Sequence, residues 1–160
     1  MQGIVNATVG IIISILVAIS PVKEINNKQV EKEIMTISIE KINLNRKIYS
    51  KNSKLNDIDK NVIIMEESDY PDEINSTVIL GAHSGTGDIA YFKDLDKLSK
   101  GDVITLTYKN KKYKYTVDSL SKDRKDGKIK ITYCSNNKRL ILYTCYPNDK
   151  SNYLVVTSHI

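Results

Sequence analysis

The chain has no tryptophan and a single phenylalanine against ten tyrosines, so its aromatic surface is almost entirely tyrosine. That residue joins an apolar ring to a hydrated hydroxyl and suits strands with one solvated face. Cysteine and histidine are equally scarce: Cys134, Cys145, His83 and His159 are the full set. With no C-x-x-C spacing and too few ligands, a structural zinc site is excluded, and no metal or cofactor is expected. Arginine occurs only at positions 46, 124 and 139. The formal charge of +5 comes from 24 Lys+Arg against 19 Asp+Glu, with lysines interleaved among acids and asparagines. Without a basic stripe, a dedicated nucleic-acid face is excluded. The mild basic bias fits anionic lipid or cell-wall polymer and an ordinary mixed-charge surface equally well. No internal repeat or low-complexity stretch is present. The 160 residues suit one compact domain, since single domains commonly run to roughly 100 to 150 residues.

Charge is also missing from Gly3 to Val22, a run rich in Ile, Val and Ala. About 20 apolar residues are what a helix needs to cross a bilayer. Residues 1–22 are therefore expected to form a single-pass transmembrane anchor. A cleaved signal peptide is the rival, because Ala18-Ile19-Ser20 has a small-x-small form. Against it, Pro21 would follow the cut and no basic segment precedes the run. Lys23 and Lys28 follow the span and none precedes it, so the basic flanks alone would place the C-terminal side in the cytoplasm. Residues 23–33 are polar and aperiodic and read as a tether, with one folded domain at 34–160.

That domain reads as all-β. Short β-branched or alternating runs occur at residues 35–39, 61–65, 76–80, 102–108, 112–117, 129–133, 140–144 and 153–157, separated by turn formers. Such spacing predicts a barrel or sandwich. Lys109-Asn110-Lys111 is expected to close a hairpin and Lys125-Asp126-Gly127-Lys128 another turn. One short helix is predicted over Ala90–Leu98, where Phe92, Leu95 and Leu98 recur ahead of Gly101.

Cys145 ends the apolar run Leu140 to Thr144 and precedes Pro147, Asn148 and Asp149. A thiol at a strand exit is rigidly held yet opens onto the surface, as a nucleophile requires. His83 is placed alike, after Val78-Ile79-Leu80-Gly81-Ala82 and before Ser84-Gly85-Thr86-Gly87. On composition alone a buried, inert Cys145 and a locally bonded loop His83 are as plausible as catalytic ones. Cys134 and His159 read as structural, although His159 would approach the site if its strand ran beside that of Cys145. A Cys134–Cys145 disulfide is open to an extracellular protein.

Four words in order decide the matter. Ile37-Ser38-Ile39-Glu40-Lys41-Ile42-Asn43-Leu44 is similar to the opening strand of the sortase family, with Glu40 where proline is common. Asn75-Ser76-Thr77-Val78-Ile79-Leu80-Gly81-Ala82-His83-Ser84-Gly85 resembles the approach to that family's histidine. Phe92 to Asp102 resembles its F-x-x-L-x-x-L-x-x-G-D stretch, and Leu142-Tyr143-Thr144-Cys145 its T-L-x-T-C word. The resemblance runs from about Ile34 to Ile160, and it argues against the disulfide.

The resemblance implies a closed β-barrel of about eight strands with one or two short helices. It implies Cys145 as nucleophile and His83 as acid/base partner of a cysteine transpeptidase that cuts an LPxTG-like sorting signal through a thioester. The expected partners are a sorting-signal-bearing surface protein or pilin and an amine of a cell-wall precursor or pilin. The domain is expected on the extracellular face of the membrane. The family's arginine, which opens the strand after the cysteine, is replaced here by Tyr153 in Tyr153-Leu154-Val155-Val156. Tyr153, the Asn152 amide or backbone N–H groups are the expected stand-ins, since no arginine is well placed. Two other readings stand beside this one: a sorting-peptide binding module with weak or no catalysis, and a hydrolytic cysteine peptidase.

Overall fold

The computed structural model describes residues 31–126, 136–147 and 149–160. The apolar segment 1–22, most of the tether, Cys134 and the strand expected at 129–133 lie outside them. Among the described residues no helix is long and apolar enough to cross a membrane.

Eight strands form one sheet: β1 (Glu33–Ile39), β2 (Leu44–Tyr49), β3 (Ile63–Ile64), β4 (Thr77–Gly81), β5 (Val103–Tyr108), β6 (Lys111–Arg124), β7 (Arg139–Tyr146) and β8 (Asp149–His159). Their order is β2-β1-β5-β6-β8-β7-β4-β3, and the edge strands β2 and β3 approach each other, so the sheet is a nearly closed barrel. The all-β barrel expected from the sequence is the one observed.

The strands with one solvated face show the period of two that pleating dictates. In β1, Met35, Ile37 and Ile39 are buried while Thr36 and Ser38 are not. In β6, Tyr113, Tyr115 and Val117 point inward, alternating with exposed Lys112, Lys114 and Thr116. Lys109 and Asn110, with φ of 48° and 62°, form the two-residue β5–β6 turn. Two successive left-handed residues are the signature of the type I′ turn, whose twist matches a hairpin.

Three elements differ from expectation. β6 runs on from Val117 to Arg124, because it pairs with β5 through Thr116 and then with β8, with an irregularity between Val117 and Ser119 where it changes partner. Such bulges bend a strand. The strand expected at Asn61–Met65 contracts to Ile63–Ile64. The helix expected at Ala90–Leu98 is only a 3-10 turn, Leu95–Lys97. Phe92, Leu95 and Leu98 are all buried, as the pattern required, but a spacing of three suits a 3-10 turn as well as an α-helix. A second 3-10 turn, Glu40–Ile42, follows β1.

Candidate active site

Antiparallel pairs dominate this sheet, but β4 and β7 run parallel, in register Thr77↔Arg139 through Gly81↔Tyr143. Parallel strands are covered on both faces and read as continuous apolar runs. Accordingly β4 is buried throughout, and β7 is buried from Leu140 to Thr144. Leu80, Leu140 and Leu142 face the main core, while Ile79, Ile141 and Tyr143 join Val155 in a second cluster on the outer face. Because the two strands are parallel, both end at the same rim of the barrel. Extending their register by two residues sets His83 level with Cys145.

Two side-chain bonds hold that rim. The Thr144 hydroxyl, buried, donates to the Ala82 carbonyl at 2.8 Å, and the Ser84 hydroxyl donates to the Cys145 carbonyl at 2.6 Å. The Ala82 N–H donates to Tyr143, and the Phe92 N–H donates to the His83 carbonyl at 2.9 Å. The residues flanking His83 are thus tied to those flanking Cys145. Beyond them, Gly85 and Gly87 turn the chain at φ of 125° and 135°, where side chains are strained.

Cys145 is a half-buried free thiol. The His83 ring is 37% exposed and its Nε2 lies 2.9 Å from the Asp59 carboxylate, which fixes the ring's orientation. A cleft of about 440 Å³ opens between the His83 and Cys145 loops, lined by Ser84, Gly85, Thr86, Tyr146 and Pro147 among others. A half-buried thiol and an imidazole at neighbouring strand exits, with a cleft between the loops that follow them, are groups on which acyl transfer draws.

Tyr153 lies directly across from Cys145 in the β7–β8 ladder, so their side chains share a face. Its ring meets Tyr143 edge-on at 6.2 Å. Burial, assisted by the Asp123 charge, pushes the Tyr143 phenol up to about 12. Asn152 is committed elsewhere: its amide donates to Asp149 at 2.9 Å, at the start of β8. His159 sits beside β7 as considered, but at the opposite end, paired with Arg139 and bonded to Asp118. Six residues of strand, about 20 Å at roughly 3.3 Å per residue, separate it from Tyr153. Arg46 stacks on Tyr91, and Arg124 pairs with Asn152.

Sequence reasoning missed two residues here. Asp59 comes from a polar loop that carries no pattern. Lys125, whose ammonium lies 3.0 Å from the Cys145 sulfur, looked like one lysine of a turn. Its approach depends on β6 pairing with β8, which no local word announces.

The domain profile described as "Sortase domain" matches residues 37–160. Sortase D of Bacillus subtilis (strain 168) is 32% identical over 111 residues, which are 69% of this chain and 53% of that protein. The chain thus spans about half the length of this curated relative. Among solved structures, a lid mutant of sortase A from Corynebacterium diphtheriae superposes with a TM-score of 0.71 at 25% identity, covering 83% of this chain and 73% of that one. Sortase C1 from Streptococcus agalactiae gives 0.70 at 28% identity, covering 79% and 66%. The barrel, the words around His83 and Cys145 and the matched profile agree, and the chain belongs to the sortase family.

Proposed function

We propose that the chain is a cysteine transpeptidase that cleaves an LPxTG-like sorting signal and transfers the protein bearing it to an amine of a cell-wall precursor or a pilin. The observation that supports this reading is the parallel β4–β7 pair, whose register ends at one rim shortly before His83 and Cys145 and which carries the Thr144–Ala82 and Ser84–Cys145 bonds across it.

The Cys145 thiolate attacks the threonine carbonyl carbon, and the carbonyl π pair moves onto oxygen. Collapse of this tetrahedral adduct breaks the C–N bond, and the leaving amine takes a proton from the His83 imidazolium. The thioester then meets an acceptor amine, which gives its proton to His83 as the C–S bond breaks and the thiolate returns. Aminolysis outruns hydrolysis when donor and acceptor are held close. Anchoring by residues 1–22 on the outer face of a Gram-positive membrane would provide that proximity to lipid-linked acceptors.

The test is mass spectrometry of the full-length chain in detergent, and of its Cys145→Ala variant, with a panel of LPxTG-like peptides with and without an amine. A thioester on Cys145 that converts to an amide product supports the reading. Conversion to free acid regardless of added amine would favour the cysteine peptidase. One observation favours the binding-module reading: Tyr153 stands where the family's arginine is expected. Saturable peptide binding with no adduct at any pH would establish it.

A further inference from the structure

Tyr153 brings no charge to the thiol, yet the site has a cation. Lys125 follows the last residue of β6, and its N–H donates to the Ser151 carbonyl at 3.0 Å, continuing the β6–β8 ladder past Arg124 and Asn152. That bond fixes the backbone, and the half-buried side chain reaches across β8. Its ammonium lies 4.9 Å from the Tyr153 ring centroid and 3.0 Å from the Cys145 sulfur. Among the described residues no carboxylate lies within ion-pairing distance of this ammonium, whereas neighbouring Lys122 is paired with Asp149.

We propose that Lys125 is the third catalytic residue of this chain, supplying from β6 the positive charge that the family's arginine supplies from β8. The assignment rests on the transpeptidase reading above. Before attack, one ammonium hydrogen bonds the Cys145 sulfur and sets a positive charge directly against it. Once the C–S bond forms, the acyl carbon and its oxygen are held next to that sulfur, within reach of a second ammonium hydrogen. The oxyanion then develops against a fixed cation. The transferred protons pass through His83, and Lys125 only donates hydrogen bonds. Tyr153 becomes a platform: its ring face attracts the ammonium and holds it over the thiol. An arginine at 153 would compete with Lys125 for the same space with like charge, so the two devices are alternatives.

The experiment uses the full-length chain in detergent with three variants: Lys125→Met, Lys125→Arg and the double Lys125→Met/Tyr153→Arg. Thermal melts confirm that each is folded. Site-resolved alkylation of Cys145 by iodoacetamide at neutral pH requires no substrate. Lys125→Met should slow it about tenfold, with Lys125→Arg near the original rate. In single-turnover acylation by a reactive peptide, Lys125→Met should fall about 100-fold or more, the cost of one preorganised donor, with peptide affinity little changed. The double variant should recover most of that loss, which a purely structural lysine would not allow. Unchanged alkylation in Lys125→Met overturns the proposal. So does equal acylation of the Lys125→Met and unsubstituted proteins, and that result leaves the transpeptidase reading standing. If no peptide acylates the unsubstituted protein while alkylation still depends on Lys125, the cation–thiol pairing is supported and the transpeptidase reading falls.

Discussion

Thr144→Val tests whether the two strand exits are coupled. Thr144 is 3% exposed and its hydroxyl donates to the Ala82 carbonyl at 2.8 Å, one residue before His83. Valine keeps the branched shape and removes the donor. A buried hydrogen bond contributes about 1 kcal/mol net, and leaving a buried acceptor unmatched costs about 1–3 kcal/mol. An expected loss of about 2 kcal/mol lowers the thermal midpoint of a domain this size by roughly 6–10 °C. Thr144→Ser retains the hydroxyl and should recover more than half of that shift. Because the lost bond ties the His83 strand to the Cys145 strand, Cys145 acylation in Thr144→Val should also slow by about tenfold at temperatures where the variant is fully folded. Melting followed by circular dichroism and single-turnover mass spectrometry read the two effects. A midpoint within a degree of the unsubstituted protein, with equal acylation, would refute the coupling.

Asp59→Ala removes the carboxylate that orients His83. Since Asp59 is 78% exposed, the melting midpoint should not move, and turnover should fall about tenfold, far short of the ~10⁴ seen for a buried triad aspartate. Asn110→Val places a β-branched residue at a φ of 62°, a conformation that costs on the order of 1–3 kcal/mol; urea titration should show a loss in that range, and no loss would contradict the type I′ assignment. The alkaline limb of stability should carry the buried tyrosines. The Tyr143 phenol is raised to about 12 by burial and then by Asp123, above its unfolded value near 10, so the folded state holds its proton more tightly. This contribution is fully present below about pH 10 and is lost as pH rises towards about 12. Stability measured by denaturant titration over that window should fall less steeply in Tyr143→Phe.

The barrel was legible because most of its strands have one wet face. Alternation in β1, β5 and β6 encodes strand type and facing together, and Lys109-Asn110 fits the turn it forms. The placement of the two candidate residues was legible for a different reason: β4 and β7 are covered on both faces, so each apolar run ends where burial ends, and His83 and Cys145 stand near those ends. Where the reading fell short, the determinant was non-local. Phe92, Leu95 and Leu98 declare a buried side but not a helix type. The length of β6 depends on β8 being available as its second partner. Lys125 reaches Cys145 only because the β6–β8 ladder continues to Ser151, a contact between residues 26 positions apart.

This last contact bears on why a tyrosine can occupy the position from which other members of the family present an arginine. What acyl transfer needs at the thiol is a preorganised donor for the developing oxyanion, and the barrel offers two strands from which to deliver a positively charged one. β8 lies beside β7 and can present the charge from the residue paired with Cys145; β6 lies one strand farther out and must send a long side chain across β8. Lysine has that reach, but holding its long stem in one geometry costs about 1.5–2 kcal/mol of rotamer freedom. An aromatic ring at the intervening position offsets part of that loss by attracting the ammonium. Tyr153 and Lys125 are therefore one device. A residue at 153 with no ring face should leave the lysine in place but less well held, so Tyr153→Leu should slow acylation more than Tyr153→Phe, which keeps the ring and removes only the hydroxyl. If Tyr153→Phe proved the slower of the two, the hydroxyl would be the group that matters, and the oxyanion would have a second, neutral donor in place of the platform argued for here.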